Sequence, residues 1–281
     1  MRAVPVSCDD PRVGDPRTED ARPAPFGDLV RSEWTKLRTL RFTAWALFIA
    51  PLYAVGYAIF LGYLTVEGVN PGPARDPLGF DPTAISFGGL ASSQLVLAAL
   101  GAIVITSEYS SGTVRLTLAA TPRRGRLLLA KALLLAVVLV PLGEFTALVA
   151  FGCGQAVLAA GGIRYAVLDQ PHVLRAVLGA GLYLAVVGLV SLAVGVLVRH
   201  TVAALVVMVL SALVAPSLLG LLPGATARAI AAWWPFTAGS QIMVVPHGGG
   251  PVGPWTGLVV LSGCAVALLL VAARVLHVRD T

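Results

Sequence analysis

Residues 107–131 read SEYSSGTVRLTLAATPRRGRLLLAK and separate two apolar runs, each long enough to cross a membrane. The segment holds five basic side chains: Arg115, Arg123, Arg124, Arg126 and Lys131. A membrane helix needs roughly 20 predominantly apolar residues, and basic residues between two such helices mark a loop on the cytosolic side. The segment therefore predicts a helical membrane protein whose chain crosses the bilayer before and after residues 107–131.

The composition is also that of a membrane protein. The chain of 281 residues is 57% hydrophobic and only 12% charged, with a mean hydropathy of +0.85, whereas a soluble domain carries about 25% charged residues. The net charge of +6 would fit nucleic-acid binding, but most basic residues lie beside the apolar runs. Membrane lipids with anionic headgroups are therefore the expected partner of this charge, and nucleic acid is not.

Six apolar runs have the length of a membrane span. They occupy residues 43–64, 83–106, 132–153, 176–198, 201–222 and 255–273. The fourth and fifth runs are separated only by Arg199 and His200. Because a helix rises about 1.5 Å per residue, one helix through both runs would be more than twice as long as the bilayer core is thick. The basic pair therefore predicts a tight turn between two spans.

The distribution of basic residues predicts the orientation. With the N-terminus inside the cell, 16 of the 20 Lys and Arg residues fall in inner segments. The outer segments then hold only Arg75, Arg164, Arg175 and Arg228. Since cytosolic loops carry the excess of Lys and Arg, we expect a multi-pass protein of the plasma membrane with both termini in the cytosol.

The polar N-terminal region divides into two parts. Residues 1–25 contain five prolines among many charges and cannot bury enough apolar surface to fold, so a disordered tail is expected. Residues 26–41 instead place apolar side chains at intervals of three and four. This predicts an amphipathic helix in the membrane surface, with Trp34 as an interfacial anchor; an ordinary basic flank of the first span is the alternative. Residues 26–281 are expected to form one six-span domain.

The outer connection before the last span contains an apolar stretch, Ala227–Gly239, with two adjacent tryptophans. Trp233 and Trp234 suit the membrane interface, where an indole ring buries its body and keeps its N–H in water. We therefore expect a short re-entrant or interfacial helix in this connection. A loop with aromatic anchors is the alternative.

The sequence carries no motif of an enzyme or a metal protein. It has no G-x-x-x-x-G-K-[ST] nucleotide loop, no H-E-x-x-H and no G-x-S-x-G. The three cysteines, Cys8, Cys153 and Cys264, are odd in number and far apart, which predicts neither a disulfide framework nor a zinc site. We expect no cofactor, no metal and no catalytic residue.

Glu144 is the one acidic residue deep inside a predicted span. A charge at the bilayer centre costs at least about 2.5 kcal/mol, so its side chain should face the bundle interior or be protonated. It could contact the transported molecule or pair two helices through a hydrogen bond. Alternatively, it is a neutral acid bonded to backbone that Pro141 and Gly143 loosen.

The basic segment itself predicts a short helix, Thr113–Ala120, which ends at Thr121 because the residue before a proline avoids helical geometry. A short helix between the ends of two spans can transmit a push from a bound partner. The charge alone would equally fit a loop that only sets the membrane orientation.

The sequence of this segment resembles the corresponding loop in permeases of type-2 ABC exporters. The pattern is E-Y-S-S-G-T-V-R-x-T-L-x-x-x-P-R-R over residues 108–124, followed by Lys131. The S-E-W-T-K-L-R-T of residues 32–39, the turn at Arg199 and His200, and the Trp-Pro-Phe of residues 234–236 are similar to such permeases too. The resemblance extends over nearly the whole chain after Phe26, and the tail before it is not part of the pattern.

The resemblance implies an all-helical permease subunit of an ATP-driven exporter. Its partners would be a cytosolic ABC ATPase, which binds the ATP, and a second copy or a sibling permease. Residues 26–40 would be the surface helix, and the segment after span two would bear a cytosolic coupling helix that contacts the ATPase. The residues expected to transfer force are Glu108, Ser111, Gly112, Thr113, Arg115 and Thr117. A membrane anchor without transport and an ion-driven secondary transporter are the alternatives.

Overall fold

The computed structural model describes residues 26–69, 80–110, 124–221, 223–245 and 252–279, and all regular structure in these ranges is helical. Within these ranges, six helical segments are long and apolar enough to cross a membrane. The predicted all-helical membrane fold with six spans is therefore confirmed. The expected disordered tail, residues 1–25, and the expected helix Thr113–Ala120 lie outside the described residues.

The chain begins with α1, Phe26–Thr39, which is the helix predicted before the first span. Its position in the membrane surface remains a prediction. The helices that follow are α2 (Arg41–Val66), α3 (Pro82–Phe87), α4 (Leu90–Ser110), α5 (Arg124–Ala160), α6 (Val173–Val198), α7 (Thr201–Val209), α8 (Ala215–Leu221), α9 (Ala225–Trp233), α10 (Pro235–Ser240) and α11 (Pro254–Arg279). A π-helical turn, Leu210–Val214, joins α7 to α8 as span five, and a 3-10 turn, Gln241–Met243, follows α10. The short helices α9 and α10 occupy the stretch predicted to be helical before the last span.

Every span except the fifth is longer than its predicted apolar run. The largest difference is in span three, which was expected over residues 132–153 and belongs to the 37-residue helix α5. At 1.5 Å per residue α5 is about 55 Å long, well over the roughly 30 Å of the bilayer core. The apolar pattern ends at Lys131, but lysine and arginine are good helix formers, so the helix continues through them. Span two is interrupted at Gly88 and Gly89, between α3 and α4.

The centre of the bundle is α6. In an apolar stretch of 18 residues within α6, 72% of the residues are buried, whereas only 11% are buried in the corresponding stretch of span five. Helices α4, α5 and α11 pack around it. Glycines allow the closest approaches: a Cβ atom on Gly101 of α4 would overlap the carbonyl of Gly188 of α6, and one on Gly143 of α5 would overlap the carbonyl of Gly181. Small residues that bring backbones together are the usual basis of helix packing in membranes.

The six spans alternate in direction and define two ends of the bundle. The proximal end carries α1, the end of α4, the start of α5 and the turn at Arg199 and His200. The distal end carries α3, α9, α10 and the connection between α5 and α6. A candidate functional site lies at each end.

Candidate functional site: a buried ion-pair cluster and a distal cavity

Four charged side chains from three helices meet at the proximal end, and we call them the ion-pair cluster. They are Glu33 and Lys36 of α1, Glu108 of α4 and Lys131 of α5. The Lys131 Nζ donates to Glu33 Oε2 and, at 2.7 Å, to Glu108 Oε1. The Lys36 Nζ donates to Glu33 Oε1 at 2.7 Å and to Glu108 Oε1 at 3.0 Å. Each lysine thus bridges both glutamates.

The cluster is neutral in sum and largely buried. Glu33, Glu108 and Lys131 are only 4%, 7% and 3% exposed, and the Lys36 side chain is about half exposed. A buried charge that loses its partner destabilises a protein by about 3–5 kcal/mol. Burial lowers the pKa of Lys36, but its hydrogen bonds to Glu33 and Glu108 and their negative charge outweigh this, so its pKa is raised. A lysine whose pKa rises on folding contributes its stability below its ordinary pKa and loses it only as the pH rises through the higher value. The Lys36 contacts therefore persist throughout the neutral range.

The ion-pair cluster connects the two helices on either side of the basic segment. Glu108 lies in the last turn of α4, and Lys131 lies two turns into α5. The segment that joins these two helices contains residues 111–123, which are outside the described part of the chain. Both flanks of this segment are therefore tied to each other and to α1 through side chains that water barely reaches.

Of the residues expected to transfer force, the structure describes Glu108 and buries it in the cluster. Ser111, Gly112, Thr113, Arg115 and Thr117 lie outside the described residues. The sequence reasoning missed the role of Glu33 and treated Lys131 only as a basic flank. The available signal was Lys131 within L-L-L-A-K-A-L-L-L, because a lysine in an apolar helix needs an acidic partner.

The distal end holds a cavity of about 750 Å³, which we call the distal cavity. Its walls come from α3, α4, α6, span five and the segment around α10. Apolar side chains dominate the lining, and a few polar groups interrupt it, as is usual for small-molecule sites. The Tyr183 hydroxyl donates to Gln94 Oε1 at 2.7 Å, and Gln94 Nε2 donates to the carbonyl of Ala91 at 2.8 Å. Thr237 Oγ1 is buried and has no hydrogen-bond partner among the described residues.

The π-helical turn of span five forms part of this cavity, because Ala212 and Leu213 line it together with Pro216 at the start of α8. Proline has no N–H, so the carbonyls of Ser211 and Ala212 lose the helical donor that residue 216 would supply. The indole Nε1 of Trp234 donates to the carbonyl of Ser211 at 2.7 Å. The side chain of Trp234 thus replaces a missing backbone bond and fixes the short distal helices to span five.

The two tryptophans of the distal connection have different environments. Trp233 is 51% exposed and remains a candidate interfacial anchor, as does Trp34 of α1 at 42%. Trp234 is only partly exposed, and its N–H was expected to stay in water. It bonds to Ser211 instead, because the π turn and Pro216 leave that carbonyl without a helical donor.

Glu144 lies in the middle of α5, against the backbone of Gly181 in α6. A Cβ atom on Gly181 would come within 2.7 Å of the Glu144 backbone nitrogen. The Glu144 Oε2 is buried and accepts no hydrogen bond from the described residues. The side chain is not among those that line the distal cavity. The described residues hold no group of three or more His, Cys, Asp or Glu side chains that could bind a metal ion.

Comparison with known families agrees with this architecture. The family model described as ABC-2 family transporter protein matches residues 29–215. The matched region runs from α1 to the first residue of α8 and includes all four residues of the ion-pair cluster. No curated protein sequence matches the chain. The family match covers well over half of the sequence, and the six apolar helices are those of a permease. This multi-pass membrane protein therefore belongs to the ABC-2 transporter family.

Proposed function

We propose that this chain is the permease subunit of an ATP-driven exporter in the plasma membrane, with a separate cytosolic ATPase as its partner. Permeases of the ABC-2 family generally work with an ATPase. The observation that supports the proposal most directly is the ion-pair cluster, which holds both flanks of the segment expected to contact that ATPase. A loop that only set the membrane orientation would need no buried ion pairs at its base.

In this mechanism the ATPase binds to the segment between α4 and α5 through Ser111, Gly112, Thr113, Arg115 and Thr117. Glu108 is largely buried, so we propose that it anchors the segment to Lys131 and does not touch the partner. A push on the segment then moves the ends of α4 and α5 together with α1. Both spans pack on the central helix α6, which would carry the movement toward the distal end.

The distal cavity is the proposed outward part of the transport path. With both termini in the cytosol, the proximal end with its basic residues faces the ATPase and the distal end faces outward. The cavity lies between span two, span four and span five, and its volume of about 750 Å³ is that of a small-molecule site. We further propose that the permease works in pairs, either with a second copy or with a sibling permease.

The test is purification of the tagged chain from its native membrane in mild detergent. We expect a P-loop ATPase to co-purify with the permease in stoichiometric amount. Arg115→Ala should reduce the amount of ATPase that co-purifies, whereas the matched control Arg164→Ala, on the distal side, should not. Recovery of the intact permease without any ATPase would contradict the proposal and favour an ion-driven transporter. If the ATPase stays bound but its rate of ATP hydrolysis does not change with substitutions in the distal cavity, such as Gln94→Leu, a membrane anchor is favoured.

A further inference from the structure

A groove of about 510 Å³ opens at the proximal end between α1, α2 and α5, and we call it the proximal groove. Trp34 and Arg38 of α1 line one end of it, and Leu47, Pro141 and Phe145 line the rest. Leu47 and Phe145 are 45% and 57% exposed, so the groove is open on the side where the spans face the membrane. It shares no lining residue with the distal cavity.

The groove has a cation at one end and an apolar body. Arg38 is exposed, and its guanidinium forms no ion pair with any described residue. The nearest acid along α1, Glu33, is already bonded to two lysines. An anion is therefore the ligand that this end lacks, and phosphate is a group that arginine binds well.

The depth of the groove indicates what is attached to the anion. Helix α2 begins at Arg41, and Leu47 lies six residues, or about 9 Å, further along it. The apolar part of the groove therefore extends from the charged level into the hydrocarbon of the bilayer. A free phosphate would satisfy Arg38 but leave this part empty.

We propose that the proximal groove binds one anionic phospholipid of the inner leaflet, with its phosphate on Arg38 and an acyl chain along Leu47, Pro141 and Phe145. The lipid would lie against α1 and α5, the two helices that supply Glu33 and Lys131 to the ion-pair cluster. This site does not depend on the identity of the ATPase or of the transported molecule.

The experiment measures thermal unfolding of the full chain in detergent, together with any ATPase that co-purifies, during titration with phosphatidylglycerol. Phosphatidylcholine with the same acyl chains and glycerol 3-phosphate are titrated in parallel. We expect only phosphatidylglycerol to raise the midpoint of unfolding in a saturable way. Arg38→Gln should weaken the apparent affinity about five-fold, as expected for one basic residue near an anionic headgroup. Arg31→Gln removes the same charge from the same helix outside the groove and should leave the affinity unchanged.

A second variant tests the apolar part. Ala44 lines the groove on α2, so Ala44→Phe should fill it and abolish the phosphatidylglycerol effect while Arg38 is intact. Equal loss in Arg38→Gln and Arg31→Gln would show charge attraction without a site and overturn the proposal. An equal response to phosphatidylcholine or to glycerol 3-phosphate would do the same. A change from paired to single permeases in Arg38→Gln would identify the groove as an interface between copies instead.

Discussion

At the scale of the residue, this protein is distinguished by where its few charges lie. The sequence identifies Lys131 and Glu108 as flanks of a basic loop, but it does not reveal that Lys131 also bonds to Glu33 of α1. Glu33 and Lys131 are 98 residues apart, and their meeting depends on how α1 lies against α5. Local patterns predict helices and spans, but contacts between distant polar side chains depend on tertiary packing.

Lys131 is the residue whose loss should damage the cluster most. Lys131→Met removes the buried ammonium group that bridges Glu33 and Glu108, so we expect the free energy of unfolding to fall by about 3–5 kcal/mol. Lys36→Met should cost no more than about 1 kcal/mol, because partly exposed pairs contribute little. The check is urea or thermal unfolding of the purified permease.

A double variant provides the control for this prediction. Glu33→Gln removes the negative charge that loses its bond to Lys131, so Lys131→Met with Glu33→Gln should be more stable than Lys131→Met alone. If the second substitution only adds to the damage, the side chains are not coupled in the way that the distances indicate.

Glu144 offers a second prediction at this scale, because its buried Oε2 accepts no hydrogen bond from the described residues. An unsatisfied buried polar group costs about 1–3 kcal/mol. Glu144→Met, which keeps an unbranched side chain against Gly181, should therefore raise the unfolding midpoint. Transport is measured in parallel: a more stable but inactive variant assigns Glu144 a transport role, and a less stable variant contradicts the prediction.

At the scale of the element, the sequence predicts the existence of the helices well and their ends poorly. Span three was expected to begin at residue 132, but α5 begins eight residues earlier, at Arg124. Hydropathy detects where the bilayer core ends, and a helix has no physical reason to stop there. The π turn of span five could not be predicted, because its only local sign is Pro216 in an otherwise uniform apolar run.

Helix packing supplies the prediction that belongs to this scale. Gly101→Ala adds a Cβ that overlaps the carbonyl of Gly188, so α4 and α6 must separate. We expect a loss of stability of about 1–3 kcal/mol, as for an overfilled core. Gly263→Ala in α11 is the matched control, since nothing lies within 4 Å of its added Cβ. Thermal unfolding of both variants tests this, and equal midpoints would contradict the close approach of α4 and α6.

At the scale of the whole molecule, the number and sequence positions of the spans followed from hydropathy, and the family match agrees with the resemblance of residues 108–124. The distal cavity did not follow from the sequence. Gln94 and Tyr183 are 89 residues apart and meet only because α4 packs along α6. Ordinary apolar residues form most of its walls, and no local pattern separates them from residues that face lipid.

The orientation of the molecule can be tested with cysteine labelling in intact cells. In a variant without the native cysteines, Asp169→Cys lies in the exposed connection between α5 and α6, and His200→Cys lies in the exposed proximal turn. A membrane-impermeant maleimide should label Asp169→Cys directly and His200→Cys only after the membrane is opened. The reverse pattern would place the proximal end outside and remove the basis for an ATPase at that end.

The bond between Trp234 and Ser211 also restricts the order in which this sequence can change. While Pro216 is present, Trp234→Phe should cost about 1 kcal/mol, because a partly buried carbonyl loses its donor. After Pro216→Ala, the backbone supplies an N–H again, and the same tryptophan substitution should cost much less. Unfolding of the two single variants and the double variant measures this dependence, and purely additive costs would disprove it. The two positions, 18 residues apart, should therefore vary together among descendants of this chain, with the proline replaced before the tryptophan.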